Sequence, residues 1–200
     1  MPNNTVNFNE VPNNVDFLQA FQYANTGKVT GTTQINGGTG YINPSVAFSA
    51  PSSGIGRAAS GVPEVATGVV TSVLIVDPGE GYVPNEVVTA LFTDTAGVGA
   101  DFSVATDAAP VDLTGSTLSM MVRVIAADPT VLLFIDNAGR GGITITDAAN
   151  GKFSLKFAQS DIVNCPLGTF VQDLIRLRPD GVKERIWSGA FTITQGVTRE

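Results

Sequence analysis

Apolar and polar residues alternate along this chain in short runs, the period expected of half-buried β-strands. In the first half such runs cover Val29 to Ile35, Ser45 to Ser49, Thr71 to Val76, Glu86 to Thr93 and Ala100 to Ala105. In the second half, Leu118, Met120, Val122 and Val124 alternate with Ser119, Met121, Arg123 and Ile125. Thr130 to Asp136 reads as a buried apolar strand, and Ile143 to Thr146, Lys152 to Phe157 and Gly168 to Leu177 as further strands. Trp187, Phe191 and Ile193 share one face of the last strand. Ser160 to Val163 reads as one helical turn. Arg178-Pro179-Asp180-Gly181 is a hairpin turn, with Pro presetting φ and Gly taking the left-handed position. The pattern predicts an all-β chain.

One stretch reads differently. Phe17, Leu18 and Phe21 have helical spacing, behind Asn13 and Asn14 as candidate N-caps. This predicts a short helix over residues 15–24 inside an Asn-rich amino-terminal arm, residues 1–27. Two roles fit it. The helix plugs the chain's own β-domain, or it anchors the chain to a neighbouring protein through Phe8, Phe17, Phe21 and Tyr23, aromatics of the kind that dominate interfaces.

An internal repeat organises residues 28–106. Gly38-Thr39-Gly40-Tyr41 recurs as Gly79-Glu80-Gly81-Tyr82, each after a strand and each followed by a proline, Pro44 or Pro84. A second glycine pair, Gly54 and Gly56, recurs as Gly97 and Gly99, with two residues inserted. The glycines supply turns with φ > 0. Each tyrosine is expected to bury its ring over its turn with the hydroxyl bonded. A phosphate loop would need a helix directly after the glycines, and Tyr, Val and Pro follow instead. The small, Pro-terminated stretch Thr106 to Pro110 marks a boundary, and residues 110–200 form a second domain. Its seven or so short strands with frequent turns predict a β-sandwich.

Composition narrows the chemistry. The 11 Lys+Arg and 18 Asp+Glu give a net charge of −7, a poor fit to nucleic acid. Charged residues make up 14% of the chain, against about 25% in ordinary soluble domains. Histidine is absent, which removes the commonest general base and metal ligand. Cys165, the single cysteine, reads as a small semi-buried residue. Asp77, Glu80, Asp94 and Asp101 lie near the repeat's turns but lack a calcium-loop spacing. Asp173 is expected to pair across the 179–181 hairpin with Arg176, Arg178, Lys183 or Arg185. No catalytic, cofactor or metal site is expected, and no enzyme activity. No apolar run is long enough to span a membrane and no secretory signal is expected, so folding in a reducing cytoplasm is the expectation.

The strand–GxGY–Pro repeats resemble β-rich repeats of tailed-bacteriophage structural proteins. The order of turn glycines, prolines and apolar runs from Pro110 to Thr194 is similar to an immunoglobulin-like domain of phage baseplate and tail proteins. In place of a Tyr-rich run, this chain has Phe170-Val171-Gln172. The resemblance implies a virion protein of the tail, neck or baseplate, an assembly or adaptor subunit that contacts other virion proteins and forms homo-oligomers. It leaves open a capsid decoration protein. A host-surface carbohydrate-binding module, with Tyr41, Tyr82 and Trp187 stacking on sugars, is the other class; core packing is the competing role of those three rings.

Overall fold

A computed structural model describes residues 5–196. The described chain is almost entirely β and divides into two compact units. Unit 1 holds residues 1–23 and 111–200; unit 2 holds residues 24–110. Unit 2 is therefore an insertion within the chain of unit 1. The carboxy-terminal boundary falls after Pro110, so Pro110 closes unit 2 and Val111 resumes unit 1. The amino-terminal one falls at Tyr23 instead of residue 27, and residues 5–23 are no separate arm.

Unit 1 begins with β1 (Phe8–Pro12) and β2 (Phe17–Gln22). The expected helix over residues 15–24 is absent, because β2 pairs antiparallel along its whole length with a later strand. Unit 2 follows as β3 (Ala24–Asn25), β4 (Val29–Thr39), β5 (Ser45–Phe48), β6 (Ser60–Ala66), β7 (Val69–Asp77), β8 (Ala90–Thr93), β9 (Val98–Thr106) and β10 (Ala109–Pro110). The chain then returns to unit 1 as β11 (Thr117–Arg123), β12 (Leu133–Asp136), β13 (Ile143–Asp147), β14 (Lys152–Phe157), the helical turn α1 (Gln159–Ile162), β15 (Gly168–Leu177) and β16 (Lys183–Thr194).

Two sheets build unit 1, in the orders β1-β16-β15-β11-β12 and β13-β14-β2. Their apolar faces share one core. Leu118, Met120 and Val122 of β11 and Leu174 of β15 pack in the same cluster as Phe153, Leu155 and Phe157 of β14. The alternation read from the sequence is the alternation of burial along β11 and β14. Trp187, Phe191 and Ile193 are all buried. Phe8 and Val11 of β1 lie in this core too, and β1 runs parallel to β16, with Phe8 opposite Phe191. A polar chain inside the core ties the amino-terminal segment down. The Trp187 indole Nε1 donates to Gln172 Oε1 at 3.0 Å, and Gln172 Nε2 donates to the Val6 carbonyl at 2.7 Å.

Unit 2 interlocks its two repeats. The first strand of each copy pairs with the closing strand of the other: β4 with β9, and β7 with β6. The middle strands β5 and β8 pair with one another. The tyrosines follow the same exchange. The Tyr82 hydroxyl accepts from Ala59 N at 2.9 Å, and the Tyr41 hydroxyl accepts from Ala100 N at 3.1 Å. Ala59 and Ala100 are 41 residues apart, as Tyr41 and Tyr82 are. On the backbone side, Tyr41 N donates to Gly68 O and Tyr82 N to Gly27 O, again 41 apart. Gly38, Gly40, Gly79 and Gly81 all have positive φ. A Cβ on Gly79 would meet Arg57 O and Ala59 N at 2.7 Å, so the turn excludes other residues on two grounds. The repeat thus starts at Thr26-Gly27, matched by Thr67-Gly68.

The ends of the insertion lie together. β3 pairs with β10 inside unit 2, and Val111 N donates to Tyr23 O at 3.0 Å inside unit 1. Joining Tyr23 to Val111 through two glycines, with residues 24–110 removed, is expected to leave unit 1 folded. Cooperative thermal unfolding with blue-shifted Trp187 fluorescence in the shortened chain checks this; a disordered product refutes it.

Candidate interaction surface

The four aromatics proposed for partner contact sit against the core of unit 1. Phe8 and Tyr23 are buried; Phe17 and Phe21 are partly buried and pack on the same cluster. Phe8 lies edge-on to Phe17 and Phe21, with centroids 6.0 Å apart in each case. Phe21 lies 4.8 Å from Trp187 and stacks on Phe153. Of the two roles read from the sequence, their geometry is that of packing within the chain's own β-domain, delivered by strands and not by a helix. Tyr41, Tyr82 and Trp187 are buried as well, so their ring faces are closed to a sugar. Tyr82 is fully enclosed, and its hydroxyl also donates to Ser49 O at 3.2 Å.

Three of the four acids near the repeat's turns, Asp77, Glu80 and Asp94, have local structural roles. Arg57 forms ion pairs with Asp77 and Glu80. Asp94 accepts from four backbone N–H groups: Ala96 at 3.0 Å, Asn43 at 2.8 Å, Gly97 at 3.2 Å and Ile42 at 3.2 Å. Those bonds, Ala96 first, hold its pKa down to about 2. They also fasten the Tyr41 turn of one repeat to the other repeat. A carboxylate whose pKa falls on folding stabilises the fold above its ordinary value of 3.8, and that contribution is lost as pH falls towards 2. The thermal midpoint of unit 2 is therefore expected to drop between about pH 4 and pH 2. Asp94→Asn is expected to lower the midpoint at pH 7 and flatten that decline. A decline equally steep in Asp94→Asn contradicts the assignment.

Around the 179–181 hairpin, Glu184 is the acid that joins Arg176 and Arg178, with N···O distances of 3.4 Å to each. Asp173 lies opposite Ser188 and Met121 in the ladders. Arg176 is buried: its guanidinium donates to Ser116 Oγ at 3.0 Å and to the Asp112 carbonyl. It locks the start of unit 1's second chain segment to β15. Cys165 is half-buried, as expected, and burial pushes its thiol pKa up. Among the described residues, no group of three or more His, Cys, Asp or Glu side chains is placed to hold a metal ion. No described helix is long and apolar enough to cross a membrane.

Two open surfaces among the described residues bear on contact with a partner. The first is a shallow concavity of about 410 Å³ on the outer face of the five-stranded sheet, lined by Met121, Arg123, Val171, Asp173, Arg185 and Ser188. The Arg123 guanidinium is held there by the Asp128 carbonyl at 2.6 Å. The second is the outside of unit 2. Leu91 stands opposite Ala47, Ala47 opposite Ser60, and Val62, two residues on, opposite Leu74. Residues opposite one another in a ladder share a face. Leu91 of β8, Val62 of β6, and Leu74 and Val76 of β7 thus form an apolar band on one face of the sheet β8-β5-β6-β7, with Ala47 of β5 between them, and each of the four is more than half exposed. Ile35, Ile42, Ile55, Val87 and Val98 are exposed elsewhere on unit 2. Unit 2 therefore exposes nine large apolar side chains, and it contains nine charged residues in all: Lys28, Arg57 and seven acids, a net −5. No protein-family model and no curated protein matches the chain.

Proposed function

We propose that this chain is a non-enzymatic structural subunit of a tailed bacteriophage, an assembly or adaptor protein of the tail, neck or baseplate. It acts through protein–protein contacts with other virion proteins. The observation that carries the reading is the surface of unit 2. A module with as many exposed large apolar side chains as charges is suited to being covered. Its partner would present an apolar surface with a basic rim, complementary to the net −5 of the module. The interlocked repeats supply rigidity for such a joint, because every first strand is held by the closing strand of the other copy. The two-sheet unit 1 supports an immunoglobulin-like reading, in keeping with the sequence resemblance to baseplate and tail domains. Capsid decoration is the nearest alternative and uses the same surface.

Antibody raised against the purified chain tests the reading. Gold label on the tail, neck or baseplate of particles from a phage encoding this chain is the expected result. Label on the head favours decoration. Particles free of the chain by labelling and by mass spectrometry overturn both.

A further inference from the structure

We propose that the free edge of β2 pairs antiparallel with β2 of a second copy of this chain, joining two three-stranded sheets into one of six strands about a two-fold axis. β2 is the outer strand of its sheet. Its ladder with β14 runs unbroken from Phe17 opposite Phe157 to Gln22 opposite Lys152. Among the described residues, β14 is its one strand partner.

The other outer strands of unit 1 carry the devices that blunt an edge. β1 has a break in register between Phe8 and Val11, with Glu10 and Pro12 in its sequence. β12 is four residues long, ends on Asp136 and is bridged by Gly142. β13 ends on Asp147 with an irregular register after Ile145. β2 has none of them. Its sequence, Phe-Leu-Gln-Ala-Phe-Gln, contains no charge, no proline and no glycine. In a chain of net charge −7, like-charge repulsion opposes self-association, and a charge-free strand is where two copies approach at least cost.

The exposure pattern agrees. Leu18, Ala20 and Gln22 face outward and are exposed. Gln19 shares the inner face with Leu155, its ladder partner, yet is exposed too, as befits a strand with no described strand beyond it. A strand pairing with its own copy is isologous. Opposite residues must share a face, so the axis falls at a residue, and the two registers that pair most of Phe17–Gln22 centre it on Gln19 or on Ala20. The first register sets Leu18 against Ala20 of the second copy; the second sets Ala20 against itself.

This inference deepens the assembly reading by naming one partner, and the two can fail separately. Sedimentation of the full chain at about 100 µM, where a complex of micromolar Kd is saturated, is expected to show a dimer. Ala20→Lys and Leu18→Lys, both on the exposed outer side, are expected to give monomers with unchanged circular dichroism. In a Cys165→Ser background, Gln19→Cys or Ala20→Cys is expected to oxidise to a covalent dimer, while Thr144→Cys on β13 does not. A monomeric wild-type chain overturns the edge pairing, as does a dimer that survives both lysines and fails to cross-link at both cysteines. A monomer that still enters particles rejects the edge pairing and leaves the assembly reading standing. A β2-linked dimer absent from particles does the reverse.

Discussion

Deleting residues 1–23 is expected to abolish the fold of unit 1. The segment supplies two of its strands and part of its core. Phe8 and Val11 are buried, and Phe17 and Phe21 pack on the same cluster. Burying one large apolar side chain contributes roughly 1.5–3 kcal/mol. Phe8 and Val11 alone amount to about 3–6 kcal/mol, and the partly buried Phe17 and Phe21 add to this, a loss comparable with the roughly 5–15 kcal/mol by which a whole domain is stable. The deletion also leaves Gln172 Nε2 without the Val6 carbonyl and exposes an edge of β16 that β1 now covers. Trp187 is the chain's single tryptophan and lies 4.8 Å from Phe21, so it reports the loss directly. Red-shifted emission and no cooperative transition for unit 1 are the expected results. A truncated chain with native emission and an unchanged midpoint would falsify the placement of these strands.

The second large effect is expected at Tyr82. Its ring is fully enclosed between the repeats, and its hydroxyl bonds Ala59 N and Ser49 O. Tyr82→Ala removes a buried aromatic and is expected to cost about 3–5 kcal/mol. Tyr82→Phe keeps the ring but leaves a buried backbone N–H without its acceptor, at about 1–3 kcal/mol. Urea unfolding of the full chain, followed through unit 2, measures both. The pseudo-symmetry adds a check at Tyr41, whose hydroxyl takes Ala100 N in the same way. Tyr41→Phe should resemble Tyr82→Phe in sign and size. If both phenylalanine variants are as stable as the wild type, the tyrosines are not the clasps between the repeats.

How far the sequence foretold this structure differs between the units. The repeat was legible because its glycines and tyrosines do unusual things. A left-handed turn needs Gly79 and Gly81, and a buried hydroxyl needs a fixed donor. The exchange of closing strands was not legible. Each copy's strand is equally compatible with its own opening strand, and only the fold decides which ladder forms. At β2 two periods compete over the same residues. Phe17, Leu18 and Phe21 fit a helix, while Phe17, Phe21 and Tyr23 fit a strand. Pairing with the apolar face of β14 decides for the strand, since tertiary packing overrides local spacing. The role of the aromatics follows from that choice, because a strand laid on the core buries what a free helix would display.

Charge was the other weak point. Arg176 stands near a hairpin, and the sequence offers Asp173 as its partner. The structure buries it against Glu184, Ser116 and the Asp112 carbonyl. Removing any one partner leaves a buried guanidinium undersatisfied. Local sequence cannot announce this, as Asp112 and Ser116 lie some 60 residues upstream. The apolar outer face of unit 2, by contrast, was foreshadowed by the low charge of the chain, though which positions face outward needed the ladders.

The central claim is that the band of Leu91, Val62, Leu74 and Val76 on unit 2 is a contact surface within a virion. A reconstruction of the assembled particle at side-chain resolution tests it most directly. The account predicts density of a neighbouring protein packed against those four side chains, with basic groups at its rim. The same four side chains facing open solvent in every copy of the subunit would contradict it.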